Sequence, residues 1–280
     1  MRRRLLVAWN VLKAWLLLAC GCAILGAIGW AINGYRLASL LAFFGLLVGL
    51  GAYWYGDRAI LGTLGARELP LAEAPVVHAS VARLATLVGV PKPRVYLLPD
   101  GHPRALTAGR GLRSSAIAVS SGLLSAAPPA ELEGVLAHEL WHIRSRDVIA
   151  QTSVVVLASA LIELSRIGGW LERPLLFVLG PIAGALVSVM LSPKREFGAD
   201  RAAATVCGSP HGLADALSRL DHASELVEFS ANPATEPLYT INPFAEEGLA
   251  ALFSTHPPVA ERVRRLRELD PDWREKLRAA

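Results

Sequence analysis

Charge is what this chain of 280 residues has least of. Asp, Glu, Lys and Arg make up 19% of it, against 53% hydrophobic residues and a mean hydropathy of +0.40. An ordinary soluble domain carries about 25% charged residues. The shortage is uneven: residues 14–35, 37–56 and 174–193 contain no charged side chain, and 148–162 is a shorter run of the same kind. Roughly 20 apolar helical residues, rising about 1.5 Å each, cross a bilayer core of about 30 Å. This composition excludes a disordered chain and points to a membrane protein. Cysteine is scarce as well. Cys20, Cys22 and Cys207 are odd in number and two lie in the first apolar run, which excludes a disulfide framework or a cysteine-based zinc site. The net charge is only +4 and no basic run alternates with aromatics, so nucleic acid is not an expected partner.

The apolar runs divide the chain. Helices over 11–32 and 37–56 form a first transmembrane hairpin within 1–56, turning at Asn33-Gly34-Tyr35-Arg36. Arg2, Arg3, Arg4 and Lys13 precede it and only Arg36 occupies the turn, so the positive-inside rule places both of its ends in the cytoplasm. Residues 57–147 are mixed and polar, with helices expected over 72–88 and 131–146 and short strands over 95–98, 105–107 and 116–119. A second hairpin is expected over 148–193, spanning or re-entrant. Arg144, Arg146, Lys194 and Arg195 flank it on the cytoplasmic side. Residues 194–280 complete the polar part, mainly as helix. The expected fold class is an α-dominated integral membrane protein with two helical hairpins in the membrane and a polar α+β domain containing a small sheet.

His138-Glu139-Leu140-Trp141-His142 matches H-E-x-x-H inside an expected helix. Residues four apart are roughly 40° apart around a helix, so both imidazoles reach one metal, while Glu139 can approach the attacking water without ligating. The alternative is a solvated amphipathic helix that happens to hold two histidines. A catalytic zinc needs three protein ligands and one open position. Glu163 follows at a suitable separation, but an intervening membrane helix of about 20 residues would carry it some 30 Å to the opposite side. Glu196 is the first carboxylate after the expected hairpin returns. Glu196 and Asp200 share a helix face at i and i+4, so one can ligate while the other accepts the outer N–H of a ligand histidine. On their own, the two would read as a solvated face.

Two N-terminal membrane helices, HELWH, a second hairpin, Arg195-Glu196-Phe197-Gly198-Ala199-Asp200 and Phe253-Ser254-Thr255-His256-Pro257-Pro258, in this order, resemble the HtpX group of bacterial membrane zinc metalloproteases. The resemblance covers nearly the whole chain. It implies a multi-pass inner-membrane endopeptidase with one Zn²⁺, its catalytic domain and both termini cytoplasmic, acting on unfolded or damaged membrane proteins. One stretch departs from the group: Arg104-Ala105-Leu106-Thr107-Ala108-Gly109 stands where the group has Asn-Ala-Phe-Ala-Thr-Gly. The resulting assignment is His138, His142 and Glu196 as metal ligands, Glu139 as general base and Asp200 behind a ligand histidine. His256 is either a donor to the oxyanion or a structural histidine ahead of a helix. The strand 116–119 is the candidate to pair with an extended substrate. Two other functions stay open: a signalling protease that cuts one dedicated repressor, and a non-enzymatic scaffold with a structural zinc.

Overall fold

The computed structural model describes residues 2–167, 172–226, 232–242, 250–270 and 272. Its first element, α1 (Arg2–Thr63), is helical throughout except at Asn33 and Gly34. Gly34 has φ 65°, a left-handed conformation that glycine adopts without a Cβ penalty, and the chain reverses there. The two arms then pack face to face. A Cβ on Gly29 would lie 2.6 Å from the Leu37 carbonyl oxygen, and the Trp15 and Tyr53 rings stack with centroids 5.6 Å apart. Much of the outward surface is large and apolar, including Trp30, Ile32, Phe43 and Phe44. A surface of that kind needs a lipid or protein cover.

A small mixed sheet follows. It contains β1 (Arg67–Glu68), β2 (Arg94–Leu98), β3 (Ala105–Gly109) and β4 (Ser115–Ser120) in the order β1-β2-β4-β3. β2 runs parallel to β4, and β3 antiparallel to it. Every residue of β4 is buried, and alternate side chains serve two different cores. Ile117 and Val119 face a cluster with Val81 and Leu84 of α2 (Pro75–Val88), Leu123 of α3 (Ser121–Ala126), Val135 and Leu136 of α4 (Pro129–Ser145), and Leu217 of α8 (His211–Leu226). Ala116 and Ala118 face a second cluster with Ile60 of α1, Val154 of α5 (Asp147–Ile167) and Val187 of α6 (Glu172–Met190). The sheet thus separates the amphipathic helices from the apolar ones. Because β4 is flanked on both sides, 116–119 has no free edge on which a substrate could pair. That expectation is corrected: β4 is internal, and the sheet ends at β1 on one side and β3 on the other.

α6 is long and apolar enough to cross a membrane, and it exposes Phe177, Ile182 and Val189. α5 is different. It leaves α4 at 90°, through Arg146 in a left-handed conformation, and packs against α1, α6, β3 and the 3₁₀ segment Pro233–Leu238. Val148, Val154, Val155 and Ala158 are wholly buried, so its apolar character is matched by protein contacts along most of its length. Lys13 Nζ donates to the Met190 carbonyl and Asn10 Nδ2 to that of Ser145, which places the start of α5 and the end of α6 at the same end of α1. The polar chain then continues through α7 (Lys194–Cys207) and α8 to α9 (Val259–Arg267).

Candidate metal centre

α4 presents His138 and His142 one turn apart, and their Nε2 atoms lie 3.1 Å from each other. α7 supplies Glu196, whose Oε2 is 3.2 Å from His138 Nε2 and 3.7 Å from His142 Nε2. One ligand atom from each of the three residues falls within a sphere where all lie within 4.8 Å of one another. All three side chains are buried, and neither oxygen of Glu196 has a hydrogen-bond partner. Arg195 Nε lies 3.0 Å from Oε1, whereas Oε2 faces the two histidine nitrogens, and a cation among these three atoms would satisfy it. Electrostatics agree. Burial opposes charge on His142, yet Asp147 and Glu196 outweigh it and raise the imidazole to about 10. Burial likewise opposes charge on Glu196, while His142, His256 and Arg195 hold it well below the usual carboxylate range. With Glu196 held as the anion, the two-nitrogen, one-oxygen donor set suits a divalent metal.

Each histidine is held from behind. His138 Nδ1 lies 3.0 Å from Asp200 Oδ1, one turn beyond Glu196 on α7. Asp200 in turn accepts from Arg262 of α9, at 2.9 Å from Nε and 2.7 Å from Nη2. His142 Nδ1 lies 3.0 Å from Asp147 Oδ2. The left-handed turn at Arg146 makes that contact possible, because it folds the first residue of α5 back towards α4. Outer-N–H partners of this kind fix which tautomer faces the metal.

Glu139 touches none of the three. Its Oε2 accepts from Thr107 Oγ1 at 2.5 Å and its Oε1 from Thr240 Oγ1 at 2.7 Å. His256 enters from the opposite wall. Its side chain is 3% exposed, and Nε2 is 3.8 Å from Glu196 Oε2 without a hydrogen-bond partner. Its Nδ1 lies 2.7 Å from Oε1 of the buried Glu236, which also accepts from the backbone N–H and the hydroxyl of Thr255. The segment carrying Glu236 closes over the site. Leu106 of β3 bridges Tyr239 in antiparallel fashion, and the Thr240 N–H donates to the Ala105 carbonyl at 3.1 Å.

The structure therefore brings His138, Glu139, His142, Glu196, Asp200 and His256 into one cluster. Glu163 is elsewhere, exposed and paired with Arg166 and Asn232. Asp147, Glu236, Arg262, Thr107 and Thr240 were not foreseen. Only Asp147 had a local signal, as a carboxylate five residues after His142 at the helix end.

Residues 71–270 match the family model described as peptidase family M48. The chain is 38% identical over 275 residues to a "Protease HtpX homolog" of Pelotomaculum thermopropionicum, covering 92% of this chain and 98% of that one. It is 39% identical over 277 residues to a protein of the same description from Acidiphilium cryptum, covering 93% and 96%. In three dimensions it is similar to S. mikatae Ste24p, with a TM-score of 0.52 and 19% identity, over 93% of this chain and 66% of that one. That last likeness concerns the fold, in which a helical body with apolar helices encloses a small sheet. With the ordered motifs, the converging donors and relatives matched along nearly their whole length, the chain belongs to the HtpX group of peptidase family M48 and is a membrane metalloprotease.

Proposed function

We propose that His138, His142 and Glu196 hold one Zn²⁺ and that the enzyme hydrolyses peptide bonds of misfolded or damaged membrane proteins at the cytoplasmic face of a bacterial inner membrane. The observation that carries the chemistry is the separation of roles. Three buried donors converge, while a second carboxylate, Glu139, next to His138 in α4, accepts from two hydroxyls. A structural zinc is normally closed by four ligands, so three donors with a spare base favour a catalytic site.

Bound there, the metal would polarise the scissile carbonyl and acidify the attacking water. Glu139 takes the proton from that water and delivers it to the leaving nitrogen, with Thr107 and Thr240 fixing its two oxygens. Asp200 and Asp147 hold His138 and His142 with Nε2 turned inward. His256, with Nδ1 engaged by Glu236, presents Nε2 as a donor to the developing oxyanion. Substrate pairs as an extended strand on the outer edge of β3, once Tyr239 and Thr240 withdraw from it. Main-chain pairing of this sort selects unfolded segments more than particular sequences, which fits many damaged proteins better than one repressor.

Glu139→Gln tests this reading, since it keeps the shape but cannot accept the proton. The zinc-loaded, membrane-inserted variant is expected to cleave unfolded casein at least about 100-fold more slowly than wild type. Near-normal cleavage would remove Glu139 as base. Loss of zinc would make it a ligand. Glu196→Ala is expected to lose the metal, and stoichiometric zinc in that variant, by elemental analysis, would refute the ligand set.

A further inference from the structure

Behind the metal centre, beyond the Nδ1 side of His142, lies a cavity of about 370 Å³. It opens between the first arm of α1, the C-terminal end of α4 and the junction of α6 with α7. Lys13, Arg144, Lys194 and Arg195 line it, and Asp147 is the only carboxylate among its walls. Asp147 is already engaged, accepting from Ser145 Oγ at 2.8 Å and lying 3.0 Å from His142 Nδ1. Among the described residues that line the cavity, cations outnumber carboxylates.

Lys13 meets a neutral acceptor, while Arg195 pairs with Glu196 outside the cavity and leaves one nitrogen without a hydrogen bond. Lys13 is the only charged residue between Arg4 and Arg36, and its Nζ donates to a neutral acceptor, the Met190 carbonyl, at 2.9 Å. The Arg195 side chain is 10% exposed; its Nη2 donates to the Pro237 carbonyl at 2.9 Å, and its Nη1 has no hydrogen-bond partner. Two tryptophans complete the site: Lys13 sits 6.0 Å from the Trp9 ring centre, and Arg144 5.8 Å from that of Trp141. Tryptophan with lysine and arginine at the end of an apolar helix is the chemistry of the headgroup layer. Basic pockets between membrane helices take acidic headgroups.

We infer that this cavity binds one anionic phospholipid, its phosphate among Lys13, Arg144, Lys194 and Arg195 and its acyl chains along the exposed apolar faces of α1 and α6. The inference rests on the reading of α1 and α6 as membrane-inserted. The cation cluster repels the ammonium of a zwitterionic lipid, so phosphatidylglycerol is preferred to phosphatidylcholine. The occupant is not the scissile peptide, because His142 and Asp147 stand between the cavity and the converging Nε2 atoms. Asp147 and Arg195 tie the lipid site to two metal ligands, the first through His142 and the second with Nε 3.0 Å from Glu196 Oε1.

The test uses full-length, zinc-loaded protein in nanodiscs of phosphatidylcholine with a minor share of phosphatidylglycerol. Native mass spectrometry counts the retained lipids. One phosphatidylglycerol is expected to be retained, favoured over phosphatidylcholine by about tenfold or more. Lys13→Gln combined with Lys194→Gln should remove that preference, whereas Lys13→Arg with Lys194→Arg should keep it, both with zinc content unchanged. Equal retention of the two lipids by wild type would overturn the inference. So would an undiminished preference in the double Gln variant. Inorganic phosphate or an acidic peptide bound as tightly as the lipid would show a soluble-ligand site and refute the lipid assignment. Recovery of the protein in the soluble fraction without detergent would instead refute membrane insertion itself.

Discussion

Arg262 is the largest of the fully buried side chains, and its guanidinium joins three segments distant in sequence. It forms a two-point pair with Asp200 and donates through Nη1 to the Thr240 carbonyl at 2.6 Å. In the sequence it sits within Val259-Ala-Glu-Arg-Val-Arg-Arg-Leu-Arg and looks like one more solvated cation. HELWH was legible because its geometry is set by one helix. The roles of Arg262 and Glu236 depend on tertiary contacts that no local spacing encodes. Removing one partner of a buried pair typically costs about 3–5 kcal/mol, and Arg262→Met is expected to destabilise the protein by that order in denaturant titrations. Its acid response should change too. Burial alone would raise Asp200, but Arg262 and His138 outweigh it and hold the carboxyl at about 2. A depressed carboxyl contributes stability above its unfolded value of about 4, and that contribution is lost as pH falls towards 2. Without Arg262, zinc release on acidification should begin at a higher pH. Glu236 is expected to act through His256. Glu236→Ala should lower kcat by about 10- to 100-fold with zinc retained, and Glu236→Gln, which still accepts from Nδ1–H, should restore most of it. A fall confined to KM or to thermal stability would reduce Glu236 to a structural role.

At the scale of elements, the helices and strands with clear periodicity were legible and those fixed by context were not. The expected strands over 95–98, 105–107 and 116–119 correspond to β2, β3 and β4, each longer by a residue or two. β1 has two residues and no pattern, and Pro233–Leu238 reads as a loop because it holds two prolines and a threonine and follows Asn232. Strand order was the larger miss. β3 and β4 are both buried along their whole length, so hydrophobicity does not tell the edge from the centre; strand order does, and it makes β4 internal and closed to a substrate. The outer edge of β3 is where an extended peptide can add, yet Leu106 and Tyr239 face each other across it. Antiparallel partners at a bridge have Cα atoms about 4.5–5.5 Å apart, within reach of a disulfide. Leu106→Cys with Tyr239→Cys, in a chain lacking its native cysteines, should therefore lock the segment onto β3 on oxidation. Proteolysis should vanish with zinc retained and return on reduction. Full activity in the oxidised, cross-linked form would mean that substrate reaches the centre by another path.

Over the whole molecule, the scarcity of charge already separates lipid-facing from water-facing parts, because an uncharged run long enough to span has few other uses. It leaves α5 open between a spanning and a re-entrant segment, since composition does not distinguish lipid from protein as the cover; in the structure β3, α1, α6 and the 233–238 segment pack against it. Orientation is a separate question, and the lysines and arginines answer it consistently. Arg2, Arg3, Arg4 and Lys13 lie at one end of α1, and Arg144, Arg146, Lys194 and Arg195 gather at the same end through the contacts of Asn10 with Ser145 and Lys13 with Met190. At the far turn Arg36 stands alone beside Tyr35. Cationic loops stay in the cytoplasm, so the metal centre should face the cytoplasm and the Asn33-Gly34 turn the opposite side. Single cysteines at Tyr35 and Leu87, both exposed positions, separate the alternatives in a background where Cys20, Cys22 and Cys207 are replaced. A membrane-impermeant maleimide added to intact spheroplasts should modify Tyr35→Cys at once and Leu87→Cys only after lysis. Immediate labelling of Leu87→Cys, in a background that still cleaves casein, would reverse the orientation and place the proteolytic site outside the cytoplasm.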